Sequence, residues 1–202
     1  MLRHISRISL AGFAALALAG CGGATPPGPS PDGADLRGSS LGGAFTLTSN
    51  KGQPVSWSDF DGQYRMVYLG FTYCPSICPT DVQRMSAGLE LFEKENPALA
   101  RKVQPIFISV DPDRDSVAAI DEFVGNFHPR LIGLRGNQEE TDKVVRIFSA
   151  SAQKDDPDAA EGYNITHTTL TYLFGPEGEP LGLLPTDKGP EAVASELEGW
   201  VR

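Results

Sequence analysis

Two apolar runs, residues 64–73 and 103–110, constrain this chain more than any other feature. Tyr64-Arg-Met-Val-Tyr-Leu-Gly-Phe-Thr-Tyr73 and Val103-Gln-Pro-Ile-Phe-Ile-Ser-Val110 are nearly continuous, short and rich in β-formers. Runs of this kind suit strands buried on both faces, as in a parallel sheet covered by helices. Between them Val82, Met85, Leu89 and Phe92 recur at helical spacing. Pro79 suits that helix's first turn, Asp81 suits its positive end, and Asn96-Pro97 ends it. Ser116 can cap a second helix bearing Val117, Ile120, Phe123, Val124 and Phe127, and a short strand over 131–134 follows. A third helix is expected over 137–150, an exposed polar loop over 151–163, and a hairpin of 168–174 with 181–184 around Gly175-Pro-Glu-Gly178. A last helix is expected over 190–201. Residues 44–60 read as short strands turning at Asn50-Lys51-Gly52. The order predicts an α/β fold: a central, mostly parallel sheet with an N-terminal β extension and a C-terminal β-hairpin plus helix.

The N-terminus reads as an address. Arg3 and Arg7 precede an apolar run over 8–18, shorter than the about 20 residues a spanning helix needs, and small residues then lead to Cys21. Leu18-Ala19-Gly20-Cys21 resembles the bacterial lipobox, whose cysteine becomes the acylated first residue. Residues 1–20 are therefore expected to be a lipoprotein signal peptide and Cys21 the lipidation site. The protein is expected to be exported and lipid-anchored to the bacterial cell membrane, facing the periplasm or the extracytoplasmic side. Residues 21–43, largely Gly, Pro, Ser and Ala, read as a flexible tether, which leaves 44–202 as one domain. Without Arg3 and Arg7, the 17 basic and 26 acidic side chains leave a net charge of −11, which argues against nucleic acid as a partner.

With Cys21 committed to an anchor, the domain holds two thiols, in Gly70-Phe-Thr-Tyr-Cys74-Pro-Ser-Ile-Cys78-Pro-Thr-Asp. Outside the cytoplasm such a pair oxidises by default, but a bridge across so small a loop stabilises little by chain entropy. A structural staple is thus poorly motivated. Thiols at the C-terminal end of a buried strand, leading into a helix, are the layout of a thioredoxin-like fold, and open α/β sheets bind ligands at that edge. The spacing places the sulfurs at i and i+4 on one helical face, farther apart than in thioredoxins, which makes capture of an ion easier. Helix N-terminal amides favour the thiolate, and thiolates joined by an imidazole select copper, or zinc if a fourth ligand is present.

Two histidines remain in the domain. His128, in Phe127-His-Pro-Arg130, reads as part of a surface connection. His167 stands just before a predicted strand, in the loop that lies beside the thiols in thioredoxin-like folds, and is the expected third ligand. Asp111-Pro-Asp-Arg-Asp115 reads as a turn before the next helix, with Arg114 paired to an aspartate. Tyr73 and Pro75 are expected to shape and shield the first thiol.

These segments together resemble the Sco/SenC family, membrane-tethered copper-binding proteins of cytochrome c oxidase assembly. The resemblance rests on the thiol motif, on Ile108-Ser-Val-Asp-Pro-Asp-Arg-Asp115, on Phe127-His-Pro-Arg-Leu-Ile-Gly-Leu134 and on Tyr172-Leu-Phe-Gly-Pro-Glu-Gly178. It implies that Cys74, Cys78 and His167 hold copper, as Cu(I) or Cu(II). It also implies a metallochaperone that helps metallate the binuclear centre of cytochrome c oxidase subunit II, alongside other copper chaperones or thiol reductants and with the membrane contacted through the lipid anchor. The family usually places Asp before the histidine, where this chain has Thr166. If that aspartate orients the imidazole, its replacement costs about 10- to 100-fold in affinity. The alternative function is a tethered thiol-disulfide oxidoreductase in which Cys74 and Cys78 cycle to keep the target's copper-ligand cysteines reduced. A peroxidase is a third class, though no peroxidatic loop signature is evident around Thr72 and Cys74.

Overall fold

The structure, a computed structural model, describes residues 28–30, 32–155 and 162–202. In chain order its strands and helices are β1 (Ala34–Asp35), β2 (Thr46–Ser49), β3 (Pro54–Ser56), β4 (Tyr64–Gly70), α1 (Ile77–Glu95), α2 (Pro97–Ala100), β5 (Val103–Ser109), α3 (Val117–Val124), β6 (Ile132–Arg135), α4 (Gln138–Ile147), β7 (Ala152–Lys154), β8 (Ile165–His167), β9 (Thr171–Phe174), β10 (Pro180–Leu184) and α5 (Pro190–Trp200). An eight-stranded sheet runs β1-β10-β9-β4-β5-β6-β2-β3, and β7 pairs with β8 in a separate two-stranded piece. The parallel part is confined to the centre, β4 with β5 and β5 with β6. The flanking strands pair antiparallel.

All seven residues of β4 are buried, as the first apolar run requires of a strand covered on both faces. Arg65 is the exception in chemistry. Its guanidinium donates to Asp61 Oδ1 at 2.8 Å and to the Gly175 carbonyl at 3.2 Å, and it lies 4.4 Å from the Trp57 ring centroid. In α1 the stripe Val82, Met85, Leu89 and Phe92 is fully buried. Gly88 lets this helix approach α5, because a Cβ there would lie 2.5 Å from Val193. Ser116 Oγ accepts from Ala119 N and opens α3, while Asn137 and Glu140 form a capping box that opens α4.

Two boundaries differ from the sequence reading. The stretch expected to be a tether up to residue 43 joins the domain earlier. Ala34 and Asp35 pair with Leu183 and Gly182, Leu36 and Leu41 pack on the core, and the Gly42 amide donates to the Ile147 carbonyl. Two apolar side chains and an open sheet edge suffice to dock this Gly-rich stretch. The polar loop expected over 151–163 contains a strand, since Ala152, Gln153 and Lys154 pair with His167, Thr166 and Ile165. Its pairing partner, not its composition, makes it extended. The signal segment and Cys21 lie outside the described residues.

Candidate metal centre

The site forms where β4 ends. Gly70, the last residue of that strand, has no Cβ, and one placed there would lie 3.0 Å from the Cys78 sulfur and 2.9 Å from the Tyr68 ring. The glycine therefore gives the second thiol its seat against the sheet. The chain then turns through buried Phe71 and through Thr72, whose amide and hydroxyl both donate to the carboxylate of Asp115. Cys74 lies in this turn and not on the helix, because α1 begins only at Ile77 with Ser76 as its N-cap. The sequence expectation of two sulfurs on one helical face is corrected accordingly. Cys78 sits in the first turn of the helix, and its amide donates to Cys74 Sγ at 3.3 Å. Both thiols are free and buried.

His167 arrives on β8, 89 positions later in sequence than Cys78. Its Nε2 lies 3.2 Å from Cys78 Sγ, and its Nδ1 lies 2.9 Å from the Thr168 carbonyl oxygen. A carbonyl can only accept, so the ring proton sits on Nδ1 and the Nε2 lone pair faces the sulfurs. The ring is held edge-on by Phe71 and Tyr68, at centroid distances of 5.7 and 6.2 Å. The ligand atoms of Cys74, Cys78 and His167 lie within 4.8 Å of one another, and they form the one such cluster among the described residues. Two thiolates and one neutral imidazole are a soft donor set suited to a thiophilic ion.

The expected weakness at Thr166 takes a different form in the structure. Neighbouring residues on a strand point to opposite faces. Thr166 is exposed and donates to Asp155 Oδ1 at 2.7 Å, while His167 turns inward. The imidazole is oriented by the Thr168 backbone, so the side chain at 166 does not set its tautomer.

Burial governs the electrostatics. It pushes the Cys78 thiol well above its usual range, with the hydrogen bond to Cys74 adding to the rise and the Phe71 backbone and the Tyr68 hydroxyl opposing it. Burial also lowers the His167 imidazole below its ordinary value, against the Thr168 carbonyl and the charge of Asp81. The resting site is thus a protonated Cys78 beside a neutral histidine. An ion bound there displaces the Cys78 proton. The Cys78 proton alone is expected to make metal affinity rise by at least about tenfold per pH unit through neutrality. Titrations at several pH values check this, and a flat profile would remove Cys78 from the ligand set.

Other residues of the sequence reading fall elsewhere. His128 is buried, not on a surface connection. Its Nδ1 accepts from the Arg130 amide at 3.1 Å and its Nε2 lies 3.3 Å from Glu93. It precedes β6 at the opposite sheet edge and holds a structural position. Tyr73 is exposed, with its ring 5.1 Å from the Arg114 guanidinium carbon. Sequence reasoning missed the buried Tyr68 and Asp81, whose hydroxyl and carboxylate meet at 3.2 Å beneath Cys78. It also missed the reach of the Asp111–Asp115 block. Arg114 does pair with Asp111, at 2.5 Å, as the sequence suggests. The buried carboxylate of Asp115, however, grips the thiol turn. The available signal was the block's place at the C-terminal end of a buried strand, on the thiol edge.

Fold and site define a class: a thioredoxin-like α/β domain with a two-cysteine, one-histidine metal centre at the C-terminal edge of its central strands. The SCO1/SenC family profile matches residues 33–202. The mitochondrial SCO1 homolog of Homo sapiens is 35% identical over 162 residues, which cover 80% of this chain and 53% of that protein. Copper-bound ScoI of Bradyrhizobium japonicum superposes with a TM-score of 0.71 at 33% identity, covering 79% of this chain and 99% of that one. Copper-bound ScoI of Arabidopsis thaliana gives 0.71 at 32% identity, covering 77% and 94%. The chain belongs to the SCO1/SenC family. It spans about half the length of the curated relatives it matches.

Proposed function

We propose that this chain is a copper-binding assembly protein that carries copper on Cys74, Cys78 and His167 and passes it to the binuclear copper centre of cytochrome c oxidase subunit II. The observation that carries the reading is the convergence of the three ligand atoms within 4.8 Å, with the imidazole tautomer already set for binding. Copper is the cargo. The two thiolates supply soft donors, the Nε2 lone pair supplies the third, and the buried sulfurs keep the ion from water.

Release then needs a partner that brings its own donors to the rim. The rim suits contact with a protein. Among the described residues, the exposed large apolar side chains are Tyr73, Ile77 and Leu170, each within three positions of a ligand. No charged residue occurs in 73–80 or 165–171. The domain is further proposed to stand outside the cytoplasm on a lipid at Cys21, a reading supported by Leu18-Ala19-Gly20-Cys21; no helix among the described residues is long and apolar enough to cross a membrane.

The test is a copper titration of the reduced full chain, followed by transfer to the copper-binding domain of subunit II. One copper per chain and transfer on mixing are expected, and no binding at stoichiometric copper would overturn the proposal. Ile77→Asp and Leu170→Asp are expected to slow transfer about tenfold, as loss of a contact residue at a protein interface does, with copper affinity unchanged. Unaltered transfer would show that the rim is not the contact face. A second reading, thiol-disulfide exchange, is favoured by the two free sulfurs lying within 4.8 Å of each other. It is not exclusive, because copper needs the reduced pair.

A further inference from the structure

His167 does not ride on the main sheet. Among the described residues its strand pairs with β7 alone, so contacts outside the main sheet's ladder hold the histidine arm against the thiol turn. The residues after β5 do so from both sides. On the arm, Tyr163 donates its hydroxyl to Asp111 Oδ1 at 2.6 Å, and its carbonyl accepts from Arg114 Nη1 at 2.7 Å. The Arg114 guanidinium lies 3.7 Å from the Tyr163 ring centroid, close enough for a cation–π contact. On the thiol side the same guanidinium lies 5.1 Å from the Tyr73 ring and 5.8 Å from Phe71. Phe71 in turn packs edge-on against His167. Asp111 is fully buried and its carboxylate accepts a hydrogen bond from Arg114 Nε, which fixes the guanidinium plane. Arg135 anchors the block from behind, donating to the Pro112 and Asp115 carbonyls at 2.8 and 2.6 Å.

We infer that Arg114, braced by Asp111 and Tyr163, is a positioning residue that brings the His167 imidazole within reach of Cys74 and Cys78. It touches no bound ion itself. A lysine could supply its charge but not the planar fork that bonds Asp111 and the Tyr163 carbonyl together while stacking on the ring. Without this clamp the thiol pair keeps its own supports at Gly70 and Asp115, and the site falls back towards two-sulfur coordination. The copper readout rests on the function proposed above, and a second readout does not.

In the metal-free, reduced full chain, the imidazole nitrogen signals of His167 are expected to shift and broaden in Arg114→Gln as the ring leaves the Cys78 sulfur. In titrations with Cu(II), Arg114→Gln is expected to lose about 10- to 100-fold in affinity and to weaken the nitrogen coupling in the electron paramagnetic resonance spectrum. Combining it with His167→Ala is expected to cost nothing beyond His167→Ala alone. Thermal unfolding monitors the fold, which a merely structural role would alter without touching the nitrogen coupling. Unchanged His167 signals, or fully additive losses in the double variant, would overturn the inference. If the wild-type chain takes no copper, the function proposed above fails while the nitrogen signals still decide this one. Should Arg114→Gln not fold, Tyr163→Phe removes only the hydroxyl donated to Asp111. It is expected to shift His167 in the same direction, and its failure to do so overturns the inference equally.

Discussion

Replacing His167 by alanine is expected to lower copper affinity by more than the roughly 10- to 100-fold that loss of an outer hydrogen bond costs, because a ligand itself is removed. The same variant keeps Cys74 and Cys78 in their seats, since the Cys74 turn is held by Asp115 through Thr72, and Cys78 by α1 and the space at Gly70. Dithiol–disulfide cycling is thus expected to survive. Cys78→Ser removes both functions, as one sulfur can neither close a disulfide nor form the two-sulfur site. Copper affinity by competition with a chelator, and thiol cycling by titration against a dithiol reductant, give two independent columns of data. A His167→Ala protein that binds copper as wild type would take the histidine out of the site and leave a plain redox pair. A variant that loses cycling along with copper would show that the ring is needed to keep the sulfurs in register.

Asp115→Ala is expected to cost about 2–4 kcal/mol of stability and to loosen the thiol turn at the same time. The carboxylate is fully buried and accepts from the Thr72 amide, the Thr72 hydroxyl and the Ser109 hydroxyl, at 3.0, 2.7 and 2.6 Å. Alanine leaves the buried Ser109 hydroxyl and the half-buried Thr72 amide and hydroxyl without this partner, and a buried donor so left costs on the order of 1–3 kcal/mol, partly recovered by relaxation. Asp115→Asn retains a carbonyl oxygen and is expected to lose less than half as much. Chemical denaturation measures both. A loss under 1 kcal/mol in the alanine variant would show that the turn stands without this carboxylate. The aspartate also carries a pH signature. Burial raises its proton affinity above the ordinary carboxylate value, more strongly than its hydrogen bonds lower it. Between the ordinary and the raised value, the folded protein holds a proton that the unfolded chain has released. Stability from this group is full below the usual carboxylate pKa and is lost as pH rises through the raised value. The asparagine variant is expected to flatten that part of the stability curve.

Much of this architecture is legible along the chain. β4 and β5 announce themselves as apolar runs because a strand covered on both faces has no polar side to show. The α1 stripe of Val82, Met85, Leu89 and Phe92 shows its period because one face alone meets the sheet. The thiols are legible because they are so few. His128 and Asp115 show the opposite case. A buried polar residue is tolerated only by virtue of partners far away in sequence, so the same residue types read as exposed connections until those partners are known. The strand at Ala152–Lys154 was equally hidden, since its pattern is polar and its pairing is with a segment eleven or more positions on.

The order of strands and helices, the place of the thiols at a strand end, and the choice of soft donors follow from the residues themselves, because local patterning and ligand chemistry act over a few positions. Folding alone settled that Nε2 of His167 faces the sulfurs, and that Arg114 and Asp115 join the arm to the thiol turn. Those are matters of distance between groups 40 to 90 residues apart, and hydrogen bonds of 2.6 to 3.2 Å exist only once the sheet has brought their ends together.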